Sequence, residues 1–98
     1  MAQVGYSPNA LDNLERAFAF LFEHDPDPSA VRDAAVAISE AVEMLTRHPL
    51  ISRMIDGELR ELVISFGPTG YIALYRFLPA ADQIRILAIR HQRELDFP

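Results

Sequence analysis

The chain has 98 residues, of which 50% are hydrophobic and 23% charged. This is the size and composition of one globular domain, here residues 1–98, and not of a disordered segment. It contains no cysteine, which excludes disulfides, thiolate metal sites and a thiol nucleophile. The formal charge of −5 disfavours generic binding to duplex DNA, because a polyanion repels an acidic chain. The sequence has neither an apolar run long enough to span a membrane nor a signal-peptide pattern, so we expect a cytoplasmic protein that does not bind membranes.

Charge is distributed unevenly along the chain. Every basic residue is arginine, and there is no lysine. Residues 1–50 carry three arginines against eight acidic residues, whereas residues 51–98 carry six of each. Arginine binds phosphate and carboxylate groups through paired hydrogen bonds, so the second half holds the candidates for recognising an anionic group. The alternative is that these arginines are solvated surface charges.

The first predicted elements are a short strand and a helix. Gln3 to Tyr6 is the strand. Ser7 followed by Pro8 predicts the start of the helix, because serine caps free backbone N–H groups and proline is tolerated at the first helical position. The prolines that follow His24 end it. Its apolar residues recur at helical spacing, namely Leu11, Leu14, Phe18 and Leu21.

A second helix is predicted with Asp27 as its cap and Pro28 as its first residue. It ends at Pro49. The connection between the two helices is short, which predicts an antiparallel helix hairpin. One apolar stripe runs along the second helix and consists of Val31, Ala34, Ala35, Ile38, Val42 and Leu45.

After Pro49 the helical periodicity disappears. Leu50 to Gly57 is predicted to be an irregular connection that closes in an Asp56–Gly57 turn. Three runs of strand character follow, joined by short segments rich in turn residues, and together they predict an antiparallel meander. These runs are Leu59 to Phe66, Tyr71 to Leu78 and Ile84 to His91.

The three runs do not alternate cleanly between apolar and polar residues, as a sheet with one solvated face would. We therefore expect the helices on one face, and on the other a partly apolar surface with arginines at its edges. The predicted architecture is α+β in the order β-α-α-β-β-β, a helix hairpin packed on a small antiparallel sheet. In the third run, strict alternation places Ile84, Ile86, Ala88 and Arg90 on one face and Arg85, Leu87, Ile89 and His91 on the other.

Motifs for chemistry are scarce. The three histidines lie far apart with no i, i+4 pair, and a phosphate-binding loop would need a lysine, so we expect no metal and no cofactor. There is also no G-x-S-x-G nucleophile motif. The segment RHQRE, from Arg90 to Glu94, suits phosphodiester chemistry, since histidine titrates near neutral pH and arginine stabilises phosphate charge. A polar strand end without chemistry explains the same residues equally well.

The order of the elements and two sequence segments resemble the RelE/ParE superfamily of bacterial type II toxins. The segments are GELRELVISFGPTGYIALYRF and QIRILAIRHQRE. Since the first strand and both predicted helices also fit, the resemblance extends over nearly the whole chain. The positions that carry it are Arg60, Glu61, Gly70, Tyr71, Tyr75, Arg76 and His91.

The resemblance implies a toxin that a cognate antitoxin neutralises. RelE-like members cut messenger RNA in the ribosomal A site, and ParE-like members inhibit DNA gyrase. In this chain Ile72 follows Tyr71, at a position where RelE-like ribonucleases carry an arginine, and lysine is absent. The resemblance therefore favours the ParE branch.

Three hypotheses of function follow. In the favoured one the chain inhibits a protein target such as DNA gyrase without chemistry of its own. In the second it is a ribosome-dependent endoribonuclease in which Arg76, Arg90 and Arg93 bind the phosphate and His91 transfers protons. In the third it is a detoxified binding module, since toxins of this superfamily are commonly basic and this chain is acidic. The residues expected to contact a target are Arg60, Arg76, Arg90, His91 and Arg93.

Overall fold

The computed structural model describes residues 1–66 and 69–91. Residues 67–70, the segment between the first two predicted runs, lie partly outside this part of the chain, and the tail from residue 92 onward lies wholly outside it. Neither helix in the described part is long and apolar enough to cross a membrane. The elements are β1 (Gln3–Tyr6), α1 (Pro8–His24), α2 (Ala30–Arg47), β2 (Arg53–Asp56), β3 (Leu59–Phe66), β4 (Thr69–Leu78) and β5 (Gln83–His91), with a 3-10 turn at Pro79–Ala81.

The sheet has five strands in the order β1-β5-β4-β3-β2. The α+β architecture and the antiparallel meander of β3, β4 and β5 are confirmed. The sheet is antiparallel, as predicted, except at β1, which pairs with β5 in parallel. A tight hairpin turn joins antiparallel strands, whereas a long connection also allows parallel pairing. The connection from β1 to the rest of the sheet is long, because it runs through the two helices.

The start of α1 is as predicted, and the start of α2 is two residues later than predicted. The Ser7 side chain accepts a hydrogen bond from the Ala10 N–H at 3.0 Å. At the second site, the Asp27 carboxylate accepts from the N–H of Ser29 at 2.9 Å and from its hydroxyl at 2.8 Å. These bonds lower the pKa of Asp27 and hold residues 27–30 in a separate turn, so that the helix itself begins at Ala30.

The predicted irregular connection contains a strand that the sequence did not indicate. Strand β2 is four residues long and exposed throughout. Its pairing with β3 is interrupted by a bulge at Ile55. The turn predicted after it is present, and Gly57 adopts a φ of 54°, a left-handed conformation that glycine accepts without steric cost.

The helix hairpin covers one face of the sheet. Leu45 of α2 and Tyr75 of β4 are fully buried between the layers. The Tyr75 hydroxyl donates to the Pro49 carbonyl at 2.9 Å and also hydrogen-bonds to the Ser52 hydroxyl, which ties the segment after α2 to the sheet. Ile38, Val42 and Leu45 of the predicted apolar stripe of α2 are buried together with Leu62 and Ile64 of β3, and Leu14, Phe18 and Leu21 of α1 are partly buried against them.

Candidate functional site

The face of the sheet that points away from the helices, here called the open face, carries most of the arginines of the sheet. Strand registers place residues from all five strands on it. It also carries aliphatic side chains, as the sequence predicted. Its described residues include Arg53, Leu59, Glu61, Val63, Ile72, Leu74, Arg76, Arg85, Ala88 and Arg90.

A bulge at Leu87 determines which residues of β5 reach the open face. Tyr75 pairs with Ile86, whereas the preceding Leu74 pairs with Ala88, so Leu87 is an extra residue in β5. A β-bulge inserts one residue and reverses the alternation beyond it. The strict alternation expected from the sequence is therefore wrong for the second half of the strand. Ile89 and His91 share the helix-covered face with Ile84 and Ile86, and Ala88 and Arg90 share the open face with Arg85.

The first turns of α1 satisfy the backbone groups of this bulge. Strand β1 ends beside Ile86, so it does not reach the bulge. Instead, the Leu87 carbonyl accepts hydrogen bonds from the Ser7 hydroxyl at 3.0 Å and from the Asn9 amide at 3.1 Å. The Ile89 N–H donates to the Asn13 side-chain oxygen at 3.0 Å. Three polar side chains near the start of α1 thus make the hydrogen bonds of the part of β5 that β1 does not reach.

Arg76 and Arg85 are directly opposite each other in β4 and β5. Both are exposed, and both lie on the open face. Arg90 pairs with Ile72 on the same face, about 13 Å further along the strands at the usual rise per residue. On β4 and β5 the open face therefore presents a close arginine pair and, at a distance, a third arginine.

His91 lies on the other face of the sheet from Arg90. Its ring packs edge-on against Tyr71, with centroids 5.5 Å apart and an interplanar angle of 88°. Tyr71 is almost fully buried, and burial raises the pKa of its hydroxyl. Neighbours in sequence, Arg90 and His91 are separated in space by the sheet.

Arg60 is not part of the open face either. It pairs with Tyr75 in the helix-covered layer, and its guanidinium donates to the carbonyls of Ser52 at 2.8 Å and Leu50 at 3.3 Å. Through these hydrogen bonds Arg60 has a structural role, because they hold the segment between α2 and β2 in place. Arg93, the last of the predicted target-binding residues, lies outside the described residues.

Three of the four open-face arginines, Arg76, Arg85 and Arg90, have no carboxylate partner within the described part of the chain. The Glu61 carboxylate lies 3.8 Å from Arg53, and the other ion pairs join side chains of the helices. No carboxylate of the described residues pairs with Arg76, Arg85 or Arg90. In particular, Arg76 is not held by Glu61.

The sequence singled out Arg76 and Arg90 but missed Arg85 as a candidate. The signal was present, because Arg76 and Arg85 become neighbours if both point to one face. The register needed to decide this depends on the turn at Pro79–Ala81 and could not be read from the residues. As for metals, no group of three or more potential ligands comes together in residues 1–66 and 69–91.

Two comparisons decide the family. The family described as "ParE toxin of type II toxin-antitoxin system, parDE" matches residues 4–96. Toxin RelE3 of Caulobacter vibrioides is 34% identical over 94 residues, which are 96% of this chain and 98% of that protein. The chain belongs to the ParE toxin family. It is therefore a toxin of a type II toxin–antitoxin system, within the RelE/ParE superfamily that the sequence resembles.

Solved structures of this superfamily share the fold of the toxin. The chromosomal ParDE system of P. aeruginosa matches with a TM-score of 0.73 at 20% identity, covering 93% of this chain and 96% of that one. The E. coli RelBE toxin–antitoxin complex matches with a TM-score of 0.62 at 8% identity, covering 92% and 95%. RelBE2 of Mycobacterium tuberculosis matches with a TM-score of 0.60 at 22% identity, covering 93% and 98%. The likeness extends to the whole α+β arrangement of helix hairpin and sheet.

Proposed function

We propose that this toxin inhibits DNA gyrase by binding it through the open face, without chemistry of its own. The observation that carries the proposal is the separation of His91 from the open-face arginines. A phosphate held by Arg76 or Arg90 would lie on one side of the sheet, and the imidazole lies on the other. A binding function needs only the arginines and the aliphatic surface around them.

Cleavage of RNA would place a different demand on the same residues. A general acid or base has to lie within about 2.6–3.2 Å of the proton that it transfers, or one water molecule away. The other two histidines, His24 and His48, lie at the ends of α1 and α2. Among the described residues, the open face thus has no histidine beside its arginines, which supports binding over catalysis.

Gyrase is the target that the ParE branch implies. The match to the ParE family supports this choice over the ribosome. The test is supercoiling of relaxed plasmid by purified gyrase in the presence of the folded toxin. We expect inhibition at micromolar toxin, and a loss of inhibition in the double variant Arg76→Gln/Arg85→Gln. The matched control is Arg32→Gln, a change of an exposed arginine on α2, which should inhibit as the wild type does.

A ribosome-dependent endoribonuclease is the second candidate. Its support is the 34% identity to a protein named Toxin RelE3. In that case Arg76, Arg90 and Arg93 would bind the message and His91 would transfer a proton. Ribosomes programmed with a defined mRNA test it: cuts at fixed codon positions that disappear in His91→Gln would support this candidate, and uncut mRNA would exclude it.

We propose a cognate antitoxin as the second partner of the toxin. The solved structures of similar fold include toxin–antitoxin complexes, and this chain exposes large apolar side chains that a partner can cover. Calorimetry with the product of the neighbouring open reading frame should give a negative heat-capacity change, because binding of a disordered segment buries apolar surface. Induction without that partner should stop growth; unimpaired growth would instead support the detoxified binding module. The exposed apolar side chains include Leu50, Ile51, Met54 and Ile55.

A further inference from the structure

We propose that Arg76 and Arg85 together bind one carboxylate group of a partner protein. They are direct cross-strand partners, so their Cα atoms lie about 4.5–5.5 Å apart. Both side chains are exposed on the open face. Two guanidinium groups approaching from neighbouring strands can each donate to one oxygen of a single carboxylate, and such charge-assisted hydrogen bonds are about twice as strong as neutral ones.

The pair has no evident role within the fold. Like charges directly opposite each other destabilise a sheet, and Glu61, which is diagonal to Arg76 in the register, pairs with Arg53 instead. Within the described residues neither Arg76 nor Arg85 makes a hydrogen bond or an ion pair that would offset the repulsion. An anion from outside the molecule would remove it. The pair is therefore suited to ligand binding and unsuited to holding the sheet together.

The neighbours of the pair leave room for a ligand. On the β1 side, the residue beside Arg85 is Gly5, which has no side chain to cover the guanidinium. The nearest side-chain atom to a Cβ at that position would be Nε2 of Gln83, at 3.6 Å. Gln83 lies on the same face, and its amide offers two further donors. On the other side Arg76 is flanked by Leu59, so the pair has a polar side and an apolar side.

The surrounding surface favours a protein carboxylate over a nucleic-acid phosphate. Binding of single strands combines positive charge with aromatic side chains on which bases stack, and the aromatic residues Tyr71, Tyr75 and Phe77 all point to the helices. Near the pair, the open face instead offers Leu59 and Leu74. The net charge of −5 also repels a polyanion at long range. An Asp or Glu flanked by aliphatic residues on a partner surface fits both properties.

The inference deepens the proposed function, since a gyrase surface would supply the carboxylate, but its first test needs no partner. The probe is sodium malonate, a small dicarboxylate, titrated against sodium chloride of equal ionic strength. The readout is the Nε–Hε signals of the arginine side chains in a nitrogen–proton NMR spectrum. We expect the Arg76 and Arg85 signals to shift along one common saturation curve, while that of Arg32 on α2 does not move.

Single variants test whether the two arginines act as one site. In Arg85→Gln the malonate affinity reported by Arg76 should fall about tenfold, because one of two charge-assisted contacts is lost. Its melting temperature should be equal to or above that of the wild type, since the change relieves the repulsion. A residue that merely orders the sheet would lower the melting temperature. In gyrase assays, the double variant should lose little more inhibition than either single variant, because both changes break the same contact.

The inference is overturned if malonate moves all arginine signals equally, or if Arg76 binds malonate unchanged in Arg85→Gln. A short oligothymidine that shifts the two signals at lower concentration than malonate would reassign the pair to phosphate and refute the carboxylate. Failure of the proposed function is a separate result: an intact malonate site in a protein that leaves gyrase active would keep the site and remove gyrase as its partner.

Discussion

Replacing Asn13 by leucine should loosen the end of β5 without unfolding the toxin. The Ile89 N–H donates to Asn13 at 3.0 Å, because β1 has already ended and cannot supply a carbonyl. Leucine has a similar size and no acceptor. A partly buried N–H left without a partner costs about 1–3 kcal/mol, which corresponds to about a 5- to 150-fold change in an opening equilibrium.

Amide hydrogen exchange of the Asn13→Leu variant measures this effect at a single position. The Ile89 amide should exchange faster by more than the core amides do, because it loses its own acceptor whereas the core loses only global stability. Asn13→Asp is the matched control, since its carboxylate still accepts the bond, and it should keep Ile89 protected. If Ile89 accelerates no more than Ile64 in β3, the bulge does not depend on Asn13 and the reasoning is refuted.

Three further changes test the core, the tie between α2 and the sheet, and the buried tyrosines. Leu45→Ala should lower the free energy of unfolding by about 2–5 kcal/mol and the melting temperature by at least about 8 °C. The control, Leu11→Ala at an exposed position, should change the free energy of unfolding by less than about 0.5 kcal/mol. Equal melting temperatures of the two variants would mean that Leu45 is not a core residue. Tyr75→Phe removes the donor to the Pro49 carbonyl and should lower the free energy of unfolding, measured in urea, by about 1–3 kcal/mol. An unchanged urea midpoint would show that this hydrogen bond does not stabilise the fold. Burial raises the pKa of Tyr71 above its ordinary value of 10.0. The contribution of its proton to the free energy of unfolding is therefore constant below pH 10.0 and is lost as the pH rises through the folded pKa. Tyr71→Phe should weaken this alkaline loss of stability, and identical curves of stability against pH for the two proteins would contradict the prediction.

The parts of the fold that local chemistry dictates could be predicted from the sequence. Ser7 followed by Pro8 marks the start of α1 because both the cap and the proline act within one turn. The meander follows from turn residues between short strand-like runs. The start of α2 was misplaced because Asp27 can cap a helix or close a turn with the same carboxylate, and only the backbone geometry distinguishes the two.

Features that depend on distant contacts could not be predicted. Strand β2 is short and exposed, and it forms a strand because it pairs with β3 at the edge of the sheet. The bulge at Leu87 shifts the alternation of β5, and the polar side chains beside it belong to α1, far away in sequence. Without the bulge, Arg85 and Arg90 would lie on opposite faces, since five positions separate them. The sequence therefore identified the arginines and could not show which of them share a surface.

If the toxin acts on gyrase through the open-face arginines, as proposed, and not on messenger RNA, the two targets can be distinguished in cells. The most direct measurement is the topology of a reporter plasmid in cells after induction of the toxin, compared with the integrity of a reporter mRNA in the same samples. Wild-type toxin should relax the plasmid and leave the mRNA intact, and Arg76→Gln/Arg85→Gln should leave both unchanged at equal protein level. Growth arrest with a fully supercoiled plasmid, or with mRNA cut at defined codons, would contradict the claim.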